Sequence, residues 1–204
     1  YVLPIPGEIS LERSTLTEPF AVIVHALKKV EIDDTKNILI IGCGTEGMLA
    51  ASLTHYFGGN VTVIDILQDK LVAIKKHIPD VITHLPNEVG EDRYDLVIEC
   101  AGVKSSVEQA FELVKSGGEI ILVGLTAEAI MPVTHIVRSE ITIYGSIIYD
   151  FPQDFETSLK ILADPTFKAD HIISKKYDLQ QYSQAYEDAC SGKYGKVLLN
   201  FATI

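Results

Sequence analysis

The chain has 204 residues, which at about 150 residues per domain corresponds to one or two domains with room for a full hydrophobic core. Apolar residues make up 47% and charged ones 22%, a globular balance that excludes a disordered chain. The 28 Asp and Glu outnumber the 17 Lys and Arg, and the net charge of −11 repels phosphate backbones, which excludes nucleic acid as an expected partner. Cys43, Cys100 and Cys190 lie far apart without a CxxC pair. That spacing excludes a disulfide framework or a cysteine-built zinc module and points to a reducing compartment, expected to be the cytoplasm. No run approaches the roughly 18 consecutive apolar residues of a membrane helix, so no membrane partner is expected. The opening YVLPIPGEISLER has neither a basic n-region nor an apolar h-region, and it lacks an initiator Met. The chain is expected to begin inside a larger protein.

Residues 1–17 are Pro-rich and read as irregular. Glu18-Pro19 then opens an apolar helix over 20–29, with Pro19 suited to a first helical position where its missing N–H is not needed. From 37 to 148, short β-branched runs alternate with amphipathic stretches. The runs are ILIIG (38–42), VTVID (61–65), the weaker VITH (81–84), DLVIECAG (95–102), GEIILVGL (118–125) and ITIYGSI (141–147). They are continuously apolar, as strands covered on both faces must be. Helices are expected between them at 45–57, 68–78, 103–115 and 133–139. In the third of these Val107, Ala110, Phe111 and Val114 recur at helical spacing, and Gly117-Gly118 reads as its stop. Strand and helix alternating through short connections predict an α/β fold with a doubly wound parallel sheet. After Ile148 a helix (153–162), a strand (171–174), a helix (180–191) and a strand (196–201) depart from that rhythm and read as part of a second domain whose remainder is elsewhere. The expected organisation is therefore a remnant or linker at 1–18, a nucleotide-binding domain at 19–149 and a second-domain segment at 150–204.

ILIIGCGTEG places Gly42, Gly44 and Gly47 as GxGxxG after a strand and at the opening of a helix. Gly42 allows the tight turn, Gly44 lets backbone approach a pyrophosphate, and Gly47 lets the helix pack close. The free N–H groups and positive dipole end of the helix suit the phosphates, which places Thr45 and Glu46 beside them. Glu46 is out of character there, because an acid opposes the phosphate charge unless it turns toward the helix terminus. Asp65 ends the next strand at about the 20-residue spacing expected of a ribose-binding acid. It accepts hydrogen bonds from both ribose hydroxyls and repels a 2′-phosphate, so NAD is expected over NADP. Lys70, on the next helix, reaches the same ribose. S-adenosylmethionine binding uses a similar loop and acid and stands as a rival. Methyltransferase sheets usually end in an antiparallel hairpin, however, and the last two runs here read as further parallel strands.

The whole chain resembles the zinc-type medium-chain dehydrogenase/reductase family, in particular its sorbitol and threonine dehydrogenase branch. The resemblance rests on EPFAVIVHA, ILIIGCGTEG, VTVID, DLVIECAG, GGEIILVGL, ITIYGSIIY and GKVLLN in that order. It implies a Rossmann fold and hydride transfer between a secondary alcohol or polyol and NAD, with zinc polarising the alcohol oxygen. Matched residue by residue, Gly42, Gly44, Gly47, Asp65 and Lys70 fall on cofactor positions. Cys100, Ala101, Gly102, Gly124 and Leu125 fall on the strand ends over which the cofactor's ribose and nicotinamide lie. Gly145 and Ser146 fall where backbone approaches the carboxamide, and Lys196 where a basic residue reaches the pyrophosphate in some relatives. The resemblance places Glu18 at the catalytic zinc, directly or through water. His25 shares its helix face, with helix packing as its expected role. Cys100, within an apolar strand, reads as a small buried hydrophobe. Cys43 reads the same way, although a helix N-terminus lowers thiol pKa.

Two departures qualify the match. The family's N-terminal catalytic domain, with its zinc ligands and proton relay, has no counterpart here, so no catalytic residue is assigned and the chain alone is expected to bind cofactor without oxidising alcohols. Ile148 stands before Tyr149 where many polyol dehydrogenases carry Arg, which counts against a sorbitol-like substrate. A homo-oligomer paired through the last sheet strand is expected. The alternatives to the dehydrogenase reading are a non-catalytic NAD(H)-binding module and an S-adenosylmethionine-dependent methyltransferase.

Overall fold

The computed structural model describes residues 2–201, so Tyr1 and the last three residues of the 150–204 segment lie outside the description. Its first element is a helical turn, α1 (Leu11–Ser14), in the stretch expected to be irregular. Ser10 caps it by accepting the Arg13 N–H at 3.1 Å. Helix α2 (Thr17–Leu27) begins earlier than expected and puts Pro19 in its third position. The position still costs nothing, because none of the first four N–H groups of a helix has an intrahelical acceptor.

The six expected strands form one sheet: β1 (Asn37–Ile41), β2 (Asn60–Ile64), β3 (Ile82–His84), β4 (Tyr94–Glu99), β5 (Val114–Leu122) and β6 (Thr142–Gly145). Their spatial order is β3-β2-β1-β4-β5-β6 and every pairing is parallel. The final strand is thus parallel, not half of an antiparallel hairpin as in the methyltransferase alternative. Crossovers are made by α3 (Thr45–Tyr56), α4 (Gln68–His77), α5 (Lys104–Leu113) and α6 (Val133–Arg138). The strands read as continuously apolar because both faces are covered. Ile38, Ile40, Val61, Val63, Leu96 and Ile98 pack with α2, α3 and α4 in one core. Leu39, Ile41, Ile64, Val97 and Ile120 pack on the other face with α5.

Two expectations need correction. The helix expected over 103–115 ends at Leu113, and Val114 is already extended and paired with Tyr94. The register then shifts before pairing resumes at Leu96 and Glu119, and Gly117, at φ 72°, sits in that excursion. The glycine pair therefore serves a strand irregularity and does not end the helix. The C-terminal segment also does not abandon the βα rhythm. After α7 (Gln153–Ala163) and a 3-10 turn at Asp170–Ile172, β7 (Ile173–Asp178), α8 (Tyr182–Cys190) and β8 (Lys196–Asn200) form a parallel βαβ unit in a second, two-stranded sheet. This segment shares the first core: Phe167 stacks on Phe20 at 5.0 Å, and Leu159, Leu162 and Ile172 join the same cluster. Among the described residues no helix is long and apolar enough to cross a membrane.

Candidate functional site

β1 and β4 are neighbours whose connections leave to opposite sides, and a crevice opens at the carboxyl ends of strands at such a switch point. The glycine loop lies there. Gly42, at φ 96°, donates its N–H to the Ile64 carbonyl at 2.8 Å, and a Cβ on it would sit 2.9 Å from the Ala101 nitrogen. A Cβ on Gly47 would overlap the Gly42 carbonyl oxygen, so only glycine lets α3 approach the turn this closely. Gly44 is the N-cap of α3, makes no side-chain cap bond, and faces open space where its Cβ would be. The N–H groups of Thr45, Glu46 and Gly47 in the first turn thus have no intrahelical acceptor, the arrangement that binds phosphate.

Asp65 follows β2 and is only 9% exposed. Its Oδ2 accepts the Cys43 N–H at 2.7 Å and its Oδ1 the Leu67 N–H at 2.8 Å, with the Lys70 ammonium 4.0 Å from Oδ2. The carboxylate is thereby fixed against the loop, and each oxygen keeps a lone pair for a further donor. At the ends of β4 and β5, Gly102 (φ 66°) and Gly124 touch backbone to backbone. A Cβ on Gly102 would lie 3.0 Å from the Leu125 nitrogen, and one on Gly124 would meet the Gly102 nitrogen. Gly145 pairs with Leu122, and the Ser146 N–H donates to the Leu122 carbonyl at 3.0 Å. The residues assigned to cofactor from sequence therefore fall along one edge, from the loop and Asp65–Lys70 through the β4 and β5 ends to Gly145-Ser146. At the start of β8, next to Lys196, a Cβ on Gly195 would lie 2.6 Å from the end of the Met48 side chain, which comes from α3.

Glu18 is different. It is exposed in the first turn of α2 and joins no ligand cluster among the described residues. His25 does not turn to it; its Nδ1 lies 3.0 Å from Asp154 Oδ2. His25, Asp150 and Asp154 bring three ligand atoms within 4.8 Å of one another. The Lys28 ammonium is already bonded to Asp154 Oδ1, however, so the group is an ion-pair cluster tying α2 to α7.

A sequence model described as zinc-binding dehydrogenase matches residues 47–164, more than half of the chain. The chain belongs to the zinc-binding dehydrogenase family. It is 29% identical over 205 residues to sorbitol dehydrogenase of Bacillus subtilis, a match covering 95% of the chain and 58% of that protein. It is 30% identical over 218 residues to galactitol 1-phosphate 5-dehydrogenase of Escherichia coli, covering 97% of the chain and 63% of the relative. The crystal structure of galactitol-1-phosphate dehydrogenase from Escherichia coli superposes with a TM-score of 0.82 at 26% identity, over 96% of this chain and 62% of that one. The chain thus spans about three fifths of the length of these relatives.

The donors present do not fit the family's metal by themselves, since a catalytic zinc needs three protein ligands and Glu18 offers one carboxylate. A dinucleotide does fit: the uncapped helix terminus, the open face at Gly44 and the buried Asp65 lie around one tight turn, and a Cβ at Gly42 or Gly47 would break that turn. Neither cysteine beside this edge, Cys43 or Cys100, offers a ready nucleophile. Cys43 is fully buried, and burial together with the Asp65 charge pushes its thiol up to about 12, reversing the lowering expected from the helix terminus. Cys100 lies just past β4, half-buried and not within the strand. Burial, then the charges of Glu99 and Glu46, hold its thiol well above the usual range. The sequence reading missed Glu99, which ends β4 fully buried and binds the turn behind the cleft. Its signal was an acid directly after the apolar stretch Leu96–Ile98.

Proposed function

We propose that this chain is the NAD-binding portion of a zinc-dependent alcohol or polyol dehydrogenase, in which hydride passes between a secondary alcohol and NAD. The observation that carries the reading is Asp65: a buried carboxylate held by the backbone of a GxGxxG turn, at the end of the second strand. The bound cofactor supplies the hydride acceptor. The chain's own residues bind and orient it. The N–H groups of Thr45, Glu46 and Gly47 take the pyrophosphate, Asp65 and Lys70 take the adenosine ribose, and Lys196 adds positive charge beside the phosphates. Cys100, Ala101, Gly102, Gly124 and Leu125 form the floor beneath the second ribose and nicotinamide, and the backbone of Gly145 and Ser146 meets the carboxamide.

Residues 19–149 form the cofactor domain in this reading, with 1–18 and 150–204 belonging to the catalytic domain of the complete protein. Glu18 is this chain's contribution to the zinc, whose other ligands come from outside these 204 residues. The exposed edge strand β6 pairs with a second copy, and the three free cysteines accord with a cytoplasmic setting. The substrate is a small alcohol or polyol, with Ile148 in place of a hydrogen-bonding residue weighing against sorbitol itself.

The test is titration of the purified chain with NADH, NADPH and S-adenosylmethionine, together with an assay for NADH formation from secondary alcohols. NADH should bind more tightly than NADPH, Asp65→Gly should narrow the gap, and no turnover should be seen. Equal affinity for the two dinucleotides, or binding of S-adenosylmethionine alone, would overturn the reading. Robust zinc-dependent turnover would overturn the assignment of the remaining ligands to outside this chain.

A further inference from the structure

Glu99 is a fully buried acid at the carboxyl end of the central strand β4. Its Oε1 accepts the Ala101 and Gly102 N–H groups, both at 2.8 Å, and lies 2.7 Å from the Ser106 hydroxyl. That hydroxyl shares its proton with the Val103 carbonyl, also at 2.7 Å. Two backbone N–H groups thus donate to Oε1, and the single hydroxyl proton is divided between it and the Val103 carbonyl. Oε2 is equally buried and has no hydrogen-bond partner among the described residues. It points into the gap between the β4 and β5 turns, where a Cβ on Gly124 would sit 2.6 Å away.

A buried carboxylate whose two oxygens are so unequally compensated keeps much of its field, because little water or dipole is there to screen it. Glu99 is also, after burial, the leading charge raising the pKa of the adjacent Cys100 thiol. Ala101, Gly102 and Gly124 stand directly over this carboxylate, and in the NAD-binding reading they are the floor under the nicotinamide end of the cofactor. The oxidised ring carries a positive charge there and the reduced ring does not.

We propose that Glu99 is a positioning residue that also acts electrostatically. It fixes the Ala101–Gly102 turn through Oε1 and biases the cleft toward oxidised over reduced cofactor through its uncompensated charge. The proposal rests on the NAD-binding reading. By linkage, tighter binding of NAD+ than of NADH lowers the reduction potential of the bound couple. That holds more of the bound cofactor oxidised and makes it a correspondingly weaker hydride acceptor.

The experiment is calorimetric titration of parent, Glu99→Gln and Ser106→Ala chains with NAD+ and with NADH, with a melting curve for each. Gln keeps an oxygen for the three donors and removes the charge. We expect Glu99→Gln to weaken NAD+ relative to NADH by about tenfold. Ser106→Ala withdraws a neutral donor from the carboxylate and should shift the ratio a few-fold the opposite way. A purely structural role would weaken both forms alike. An unchanged ratio in a folded Glu99→Gln chain that still binds both forms overturns the proposal while leaving the NAD reading intact. Should Glu99→Gln fail to fold, Ser106→Ala decides, and an unchanged or reversed ratio there overturns the proposal. Failure of the parent chain to bind either form overturns the NAD reading and the proposal with it.

Discussion

Asp154 should be one of the most stabilising charges in the chain. It is fully buried where α7 meets α2 and accepts from the Lys28 ammonium, from His25 Nδ1 at 3.0 Å and from the Asp150 N–H at 2.6 Å. Burial raises its pKa, but the bonds from Lys28, Asp150 and His25 outweigh that and hold it below the ordinary 3.8. Removing one partner of a buried ion pair costs about 3–5 kcal/mol. Lys28 is 47% exposed and regains water when released, which brings the expected cost of Asp154→Ala to about 2–3 kcal/mol. In a chain of this size that lowers Tm by about 4–12 °C. Asp154→Asn, which keeps the volume and one acceptor, should lose about half as much. Because the folded-state pKa is depressed, the charge stabilises fully above the ordinary value and its contribution fades as pH falls through the folded value. The gap between parent and Asp154→Ala melting curves should therefore be widest near neutrality and shrink below about pH 4. Melting temperatures within about 1 °C of each other at neutral pH, or a gap that widens on acidification, would refute this reasoning.

Three other outcomes follow from single residues. Gly47→Ala drives a methyl into the Gly42 carbonyl; it should destabilise by about 1–3 kcal/mol and abolish NADH binding, so parental affinity in a fluorescence titration would contradict the packing assigned to the loop. Ile148 holds a β-branched side chain at φ 53°, a conformation costing about 1–2 kcal/mol that Asn tolerates better, so Ile148→Asn should raise Tm and a fall would count against strain there. His171 stacks on His77 at 4.7 Å, and burial followed by the His77 charge lowers its pKa to about 4 against an opposing effect of Asp170. The unfolded chain takes this proton first, so stability should fall as pH drops from 6.5 toward 4, and a His171→Gln chain should show a flatter profile by denaturant titration.

The parallel sheet was legible because its strands are buried on both faces, which leaves Ile38–Ile41 or Leu96–Ile98 no polar residue to blur the run. The loop was legible because Gly42 and Gly47 occupy positions that any Cβ would obstruct, and such positions leave a mark in sequence. What escaped depends on partners distant in the chain. Val114 became a strand residue because Tyr94 pairs with it, although its own spacing continues the helix. The parallel pairing of β7 with β8 is a long-range choice that leaves only two short runs behind. Asp154 and Glu99 read as ordinary acids until Lys28, His25 and the Ala101–Gly102 turn are brought around them. Glu18 illustrates the converse: the resemblance assigned it a metal, while within this chain it is an exposed acid in a first helical turn.

A crystal structure of the chain grown with NADH would bear most directly on whether this edge is a dinucleotide site. The pyrophosphate should sit on the N–H groups of Thr45 to Gly47, the adenosine ribose hydroxyls within about 3.2 Å of the Asp65 carboxylate, and the nicotinamide over Gly102 and Gly124. A dinucleotide bound elsewhere, or one whose ribose makes no hydrogen bond to Asp65, would contradict the assignment.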